Sequence, residues 1–115
     1  MERIVIQRGN IYNIPLYFTD EDDNPFDITG TTIFFTVKER NDFSGNDNAA
    51  VIKIDIAVHT DPTNGESNLP LSAADTNVPA KLYKGDYRIY QAGVLKANTD
   101  EFEVEVVYTV TERTS

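Results

Sequence analysis

The chain has 115 residues, 40% of them hydrophobic, with nineteen acidic residues against ten basic ones and a formal charge of -9. That length holds one domain, residues 1–115, around a single core, and so acidic a surface repels phosphate backbones and anionic lipid headgroups, which argues against nucleic-acid and membrane partners. No cysteine is present, which removes disulfides, thiolate nucleophiles and sulfur-bound zinc; the opening Met-Glu-Arg-Ile lacks the form of a signal peptide and no apolar run is long enough to span a bilayer, so a soluble product made in a cytoplasm is expected.

In chain order, the first elements expected are two short strands, Arg3 to Gln7 and Ile11 to Thr19, separated by Gly9. Pro15 lies inside the second and cannot donate to a ladder, so that strand belongs at a sheet edge or at a kink between sheets. The acidic run "DEDDNP" at 20–25 is a turn. Thr31 to Lys38 alternates, with Ile33, Phe35 and Val37 inward against Thr32, Thr36 and Lys38. The polar stretch "ERNDFSGNDNA" at 39–49 reads as the one long loop and the mobile region.

Val51 to Val58 alternates again, Ile52, Ile54, Ile56 and Val58 opposing Lys53 and Asp55, and "TDPTNG" at 60–65 is a turn. A single helical turn is predicted near residues 72–78. Ser72 stands as its N-cap with Asp75 three residues on, a weaker form of the capping box, and Pro79 stops extension. A strand through Tyr87 and Ile89 follows, then the turn "QAG" at 91–93. From Glu101 to Val110, Phe102, Val104, Val106, Tyr108 and Val110 share one side; Glu101, Glu103, Glu105 and Thr109 share the other, with Val107 the apolar exception.

About seven strands separated by turn chemistry make an antiparallel two-sheet sandwich, all-β and immunoglobulin-like. In such sandwiches a short helical turn carries the chain from one sheet to the other, and a tyrosine in the next strand bonds back to the connecting backbone. Tyr87 is the expected corner tyrosine. Ile89, two residues on, takes the inward place that a cysteine holds in antibody domains, so packing alone must join the sheets.

Candidate chemistry is sparse. Asp20, Asp22 and Asn24 match the first three ligand positions of a calcium loop, but Pro25 stands where that loop needs glycine and Thr31 where it needs a bidentate glutamate, so a solvated turn is the better reading. His59 is the only histidine; with Asp61 it lies at a strand end expected to be exposed, a poor place for a Ser-His-Asp set. Glu101, Glu103 and Glu105 project from a solvent face, where no burial raises a carboxyl pKa for acid catalysis. The chain is therefore expected to be non-enzymatic, with no catalytic residue, no cofactor, no metal and no small-molecule ligand. One pattern points outward: Phe34, Tyr90 and Val107 face solvent on their strands, with Tyr12 and Tyr17 in the edge segment. Tyr90 and Val107 fall on neighbouring strands in the immunoglobulin order, so a shared patch for another subunit is expected.

Residues 8–39, "RGNIYNIPLYFTDEDDNPFDITGTTIFFTVKE", together with "VHTDPTNGESNLPLSAADTN" at 58–77 and "GDYRIYQ" from Gly85, resemble the N-terminal domains of phage baseplate upper proteins. The similarity rests on the D-x-D-x-N-P-x-D-I-T-G turn, the T-I-x-F-x-V-K strand, the hairpin and the helical turn, and it covers most of the chain. Ahead of Gly85 the chain has "VPAKLYK" where the family has a shorter Pro-Gly opening, so a longer crossing loop is expected. The family's long C-terminal part has no counterpart here. The resemblance implies an immunoglobulin-like structural module of the tail or baseplate of a phage or prophage of Gram-positive bacteria, located in the virion and docking to other tail proteins or to itself. Two competing readings are a bacterial surface adhesion-type domain and a carbohydrate-binding β-sandwich.

Overall fold

The computed structural model describes residues 3–99 and 101–108. Eight strands, β1 (Arg3–Gln7), β2 (Tyr12–Tyr17), β3 (Thr32–Glu39), β4 (Ile52–Ile56), β5 (Glu66–Leu71), β6 (Leu82–Gln91), β7 (Val94–Asn98) and β8 (Phe102–Val107), form two sheets. The larger has the order β1-β8-β6-β3-β4, with β7 also on β6; the smaller is the antiparallel pair β2-β5. β1 runs parallel to β8, and every other pairing is antiparallel. β7 faces the second half of β6 and β8 the first half, so together they fill one lane of the sheet. Eight strands thus occupy seven lanes, and the chain is an immunoglobulin-like β-sandwich.

Alternation explains the core. Ile33, Phe35 and Val37 of β3, Tyr83, Tyr87 and Ile89 of β6, and Phe102, Val104 and Val106 of β8 are all buried. Phe35, Tyr87 and Phe102 form an aromatic cluster with centroids 5.1–6.4 Å apart, and Phe18 closes edge-on upon Tyr87 at 5.9 Å. Leu69 and Leu71 supply the facing side from β5. Alternation breaks at the strand ends: Val58 is 87% exposed and Tyr108 67% exposed, because each lies past the last ladder pair, where the second sheet no longer covers it. Thr109 and Val110 lie outside the described residues.

The chain changes sheet four times, and two of these crossings, β1 to β2 and β5 to β6, lie side by side. At the β5–β6 crossing stands α1 (Ala73–Thr76). Its capping box is complete: Asp75 N donates to Ser72 Oγ at 3.1 Å, and Ser72 N donates to Asp75 Oδ2 at 2.8 Å. Thr76, fully buried, donates from Oγ1 to Asn10 O at 2.7 Å, which ties the two crossings together. The corner tyrosine is Tyr83, not Tyr87. β6 begins at Leu82, three residues before the Gly-Asp-Tyr signal at 85–87, so Tyr83 is the first inward aromatic of the strand and its hydroxyl donates to Pro79 O at 2.6 Å. Part of the supposed longer crossing loop is strand.

Prolines mark both edges of the small sheet. Phe18 N donates to Gly65 O at 2.9 Å, which fixes the alternation: Leu16 and Ile14 bond to β5, while Asn13, Pro15 and Tyr17 turn their backbone away from it. The same alternation turns the backbone of Pro70 outward from β5. Each exposed edge therefore carries a residue that cannot donate where a foreign strand needs an N–H.

Candidate docking face

The outer face of the large sheet is built by the residues between the buried ones: Thr32, Phe34, Thr36 and Lys38 on β3, and Lys84, Asp86, Arg88 and Tyr90 on β6. Phe34 lies opposite Arg88 and Thr32 opposite Tyr90, so the two aromatics are diagonal neighbours. They meet edge to face, centroids 5.3 Å apart. Leu95 of β7 stands across from Tyr90 and extends the apolar row.

The loop expected at 39–49, whose first residue Glu39 ends β3, forms one wall of this face. Asp42 Oδ1 accepts from Ser44 N at 3.0 Å and from Ser44 Oγ at 2.7 Å. Lys84 Nζ donates to Asp42 O at 2.5 Å and sits 4.2 Å from the Phe43 ring centroid, and Lys38 pairs with Asp47 at 3.2 Å. The result is an open groove of about 810 Å³ running from Phe43 past Asp86 to Tyr90 and the Ala92–Gly93 turn. Its charges are mixed, with Lys38, Lys84 and Arg88 against Asp42, Asp47, Asp86 and Glu101. Burial in the groove floor pushes the Asp86 carboxyl up, opposed by Arg88 and Lys38. The hydrogen bonds from Ser44 hold Asp42 down.

The five outward residues expected from sequence fall in four places. Phe34 and Tyr90 come together. Val107 does not join them: β6 meets β8 with Leu82 opposite Glu105, so Val107 lies near the start of β6 and Tyr90 at its end. Tyr17 is on the other sheet, 69% exposed. Tyr12 points inward rather than out; it packs on the core, and its hydroxyl accepts the Gln7 N–H at 2.8 Å at the first crossing. The expectation of one patch shared by Tyr90 and Val107 is therefore corrected: the strands are neighbours, but the residues sit at opposite ends. Phe43 was missed because a lone aromatic in a polar loop carries no periodicity. Leu95 was missed because β7 is short and mostly exposed.

The other candidates have structural work. Asp20 Oδ1 accepts from Asp22 N at 2.9 Å and Asn24 N at 3.0 Å, so that carboxylate caps its own turn. Among the described residues, no three histidine or acidic side chains gather where they could hold a metal ion. His59 is half-buried, not exposed as expected. Its Nε2–H donates to Thr31 O at 2.9 Å, and its Nδ1 accepts from Ser67 Oγ at 2.9 Å, which clamps the start of the β4–β5 connection between the entry to β3 and β5. Asp61, by contrast, pairs its backbone with Glu66. No helix among the described residues is long and apolar enough to cross a membrane. No protein-family model and no curated protein matches this chain.

Proposed function

We propose that this chain is a non-enzymatic structural module of a phage or prophage tail or baseplate, which works by docking its outer sheet face onto another tail protein. The observation that carries the reading is the aromatic row on that face: Phe34 and Tyr90 in contact, with Leu95 42% and Phe43 86% exposed beside them. Apolar surface gathered in one groove and rimmed by charges of both signs suits a protein partner, since aromatics anchor and the rim sets register. The resemblance of residues 8–39 and 58–77 to baseplate upper protein domains supplies the particular assembly. The reading is tested by inducing particle production in the bacterium that encodes the chain and analysing purified tails by mass spectrometry. The chain is expected at a fixed stoichiometry to the tail proteins; tails assembled without it would overturn the reading.

A second reading, sugar binding, draws on the same groove, where Tyr90 and Phe43 stand near Asp86 and Arg88. Glycan-array binding that disappears in Tyr90→Ala would replace docking by carbohydrate recognition.

A further inference from the structure

The lateral edges of the two sheets differ in a way that points to a second copy of the chain. Both edges of the small sheet carry a proline at an outward amide; β4, the edge of the large sheet next to β3, carries none. The direction of its backbone groups follows from its neighbours. Thr99 N donates to Tyr87 O, and Val106 N donates to Lys81 O, so the odd residues of β6 bond toward β7 and β8. The even residues of β6 therefore bond to β3, through Phe34 opposite Arg88 and Thr36 opposite Asp86. Ile33, Phe35 and Val37 are left to bond β4, and Val51 N donating to Val37 O agrees. Ile52, Ile54 and Ile56 thus turn their backbone into the sheet. Lys53 and Asp55 turn theirs out, and among the described residues no hydrogen bond of these outward groups is found.

We propose that β4 pairs antiparallel with β4 of a second copy, on a two-fold axis through Ile54, and joins two large sheets into one. In this register Lys53 lies opposite the partner's Asp55, and Asp55 opposite the partner's Lys53. Both are the hydrogen-bonded type of pair, so every outward N–H and C=O of the two residues is satisfied at once. The side chains project on the same outer face, and each ammonium meets a carboxylate. Shifting the axis to Lys53 or to Asp55 sets identical charges against each other, so the sequence Ile-Lys-Ile-Asp-Ile selects one register out of three. A lone lysine on an edge normally discourages pairing; here the two-fold supplies its counter-charge. Ile54, half-buried between Ile52 and Ile56, which are 3% and 6% exposed, meets its own copy across the axis.

This edge contact is independent of the docking face, and it is smaller than a standard interface, so the dimer forms at about 1 mM protein rather than at nanomolar concentration. Sedimentation equilibrium and amide hydrogen exchange, compared between about 10 µM and about 1 mM, test it. The amides of Lys53 and Asp55 gain protection at high concentration, while those of Ile52, Ile54 and Ile56 are protected throughout. Asp55→Lys and Lys53→Asp each weaken dimerisation about tenfold or more, and the exchange K53D/D55K restores it. All three variants change only the exposed side chains of Lys53 and Asp55, and far-UV circular dichroism confirms that each variant is folded. A wild-type chain that is monomeric at the higher concentration overturns the proposal. So does a dimer in which the two amides gain no protection, or a charge exchange that behaves like the single variants.

Discussion

Gly65 and Gly93 adopt nearly the same left-handed backbone, φ +72 and φ +79, yet alanine at the two sites is expected to have very different effects. At Gly93, in the β6–β7 turn, nothing lies within 4 Å of an added Cβ, so Gly93→Ala loses only the conformational preference, about 1 kcal/mol. At Gly65 a Cβ would lie 2.4 Å from Phe18 O and 2.7 Å from Phe26 O. An ordinary C···O contact is about 3.3 Å, so the backbone must give by most of an ångström. It is poorly able to do so, because Phe26 N donates to Phe18 O and Phe18 N donates to Gly65 O, a node joining β2, the acidic turn and β5. Loss of those two bonds adds about 1 kcal/mol each to the conformational term, so Gly65→Ala costs about 3 kcal/mol in all. At roughly 4 °C per kcal/mol for a domain of this size, the melting temperature falls by about 12 °C, against about 4 °C for Gly93→Ala. Urea unfolding followed by far-UV circular dichroism measures both. Equal losses at the two sites would refute the reasoning, since they would mean that φ alone matters.

Three further outcomes are expected. Tyr83→Phe keeps the packing but leaves Pro79 O without its donor, and lowers unfolding stability by about 1–2 kcal/mol in the same titration. Ser72→Ala removes the acceptor for Asp75 N and costs about 1 kcal/mol. Asp86→Asn stabilises the fold at neutral pH. The folded state holds this carboxyl above its ordinary value of 3.8, so ionisation between that value and the raised one opposes folding. Melting temperatures of wild type and variant are expected to differ at pH 7 and to converge as pH falls below 3.8.

The sandwich was legible because period-two alternation reports a strand with one buried face, and every second residue is buried from Ile33 to Val37 on β3 and from Phe102 to Val106 on β8. The cap of α1 was legible for a local reason: Ser72 and Asp75 satisfy each other within three residues. The corner tyrosine was not. Both Tyr83 and Tyr87 point inward on β6, and only the start of the strand, set by pairing of Leu82 with Glu105, decides which reaches Pro79 O. The docking face was half legible. Alternation put Phe34 and Tyr90 outside, but which outward residues meet depends on register between strands, and that separated Val107 from Tyr90 along the length of β6. Phe43 joined the groove through Lys84, a contact between residues far apart in sequence that no local pattern encodes.

Hydroxyl-radical footprinting of the free chain and of purified tails compares side-chain exposure directly where the account places its partner. Phe34, Phe43 and Tyr90 are expected to be oxidised in the free chain and protected in the tail, while Tyr17 on the opposite sheet changes less. Protection of Tyr17 with Phe34, Phe43 and Tyr90 still oxidised would contradict the claim that the outer face of the large sheet is the docking surface.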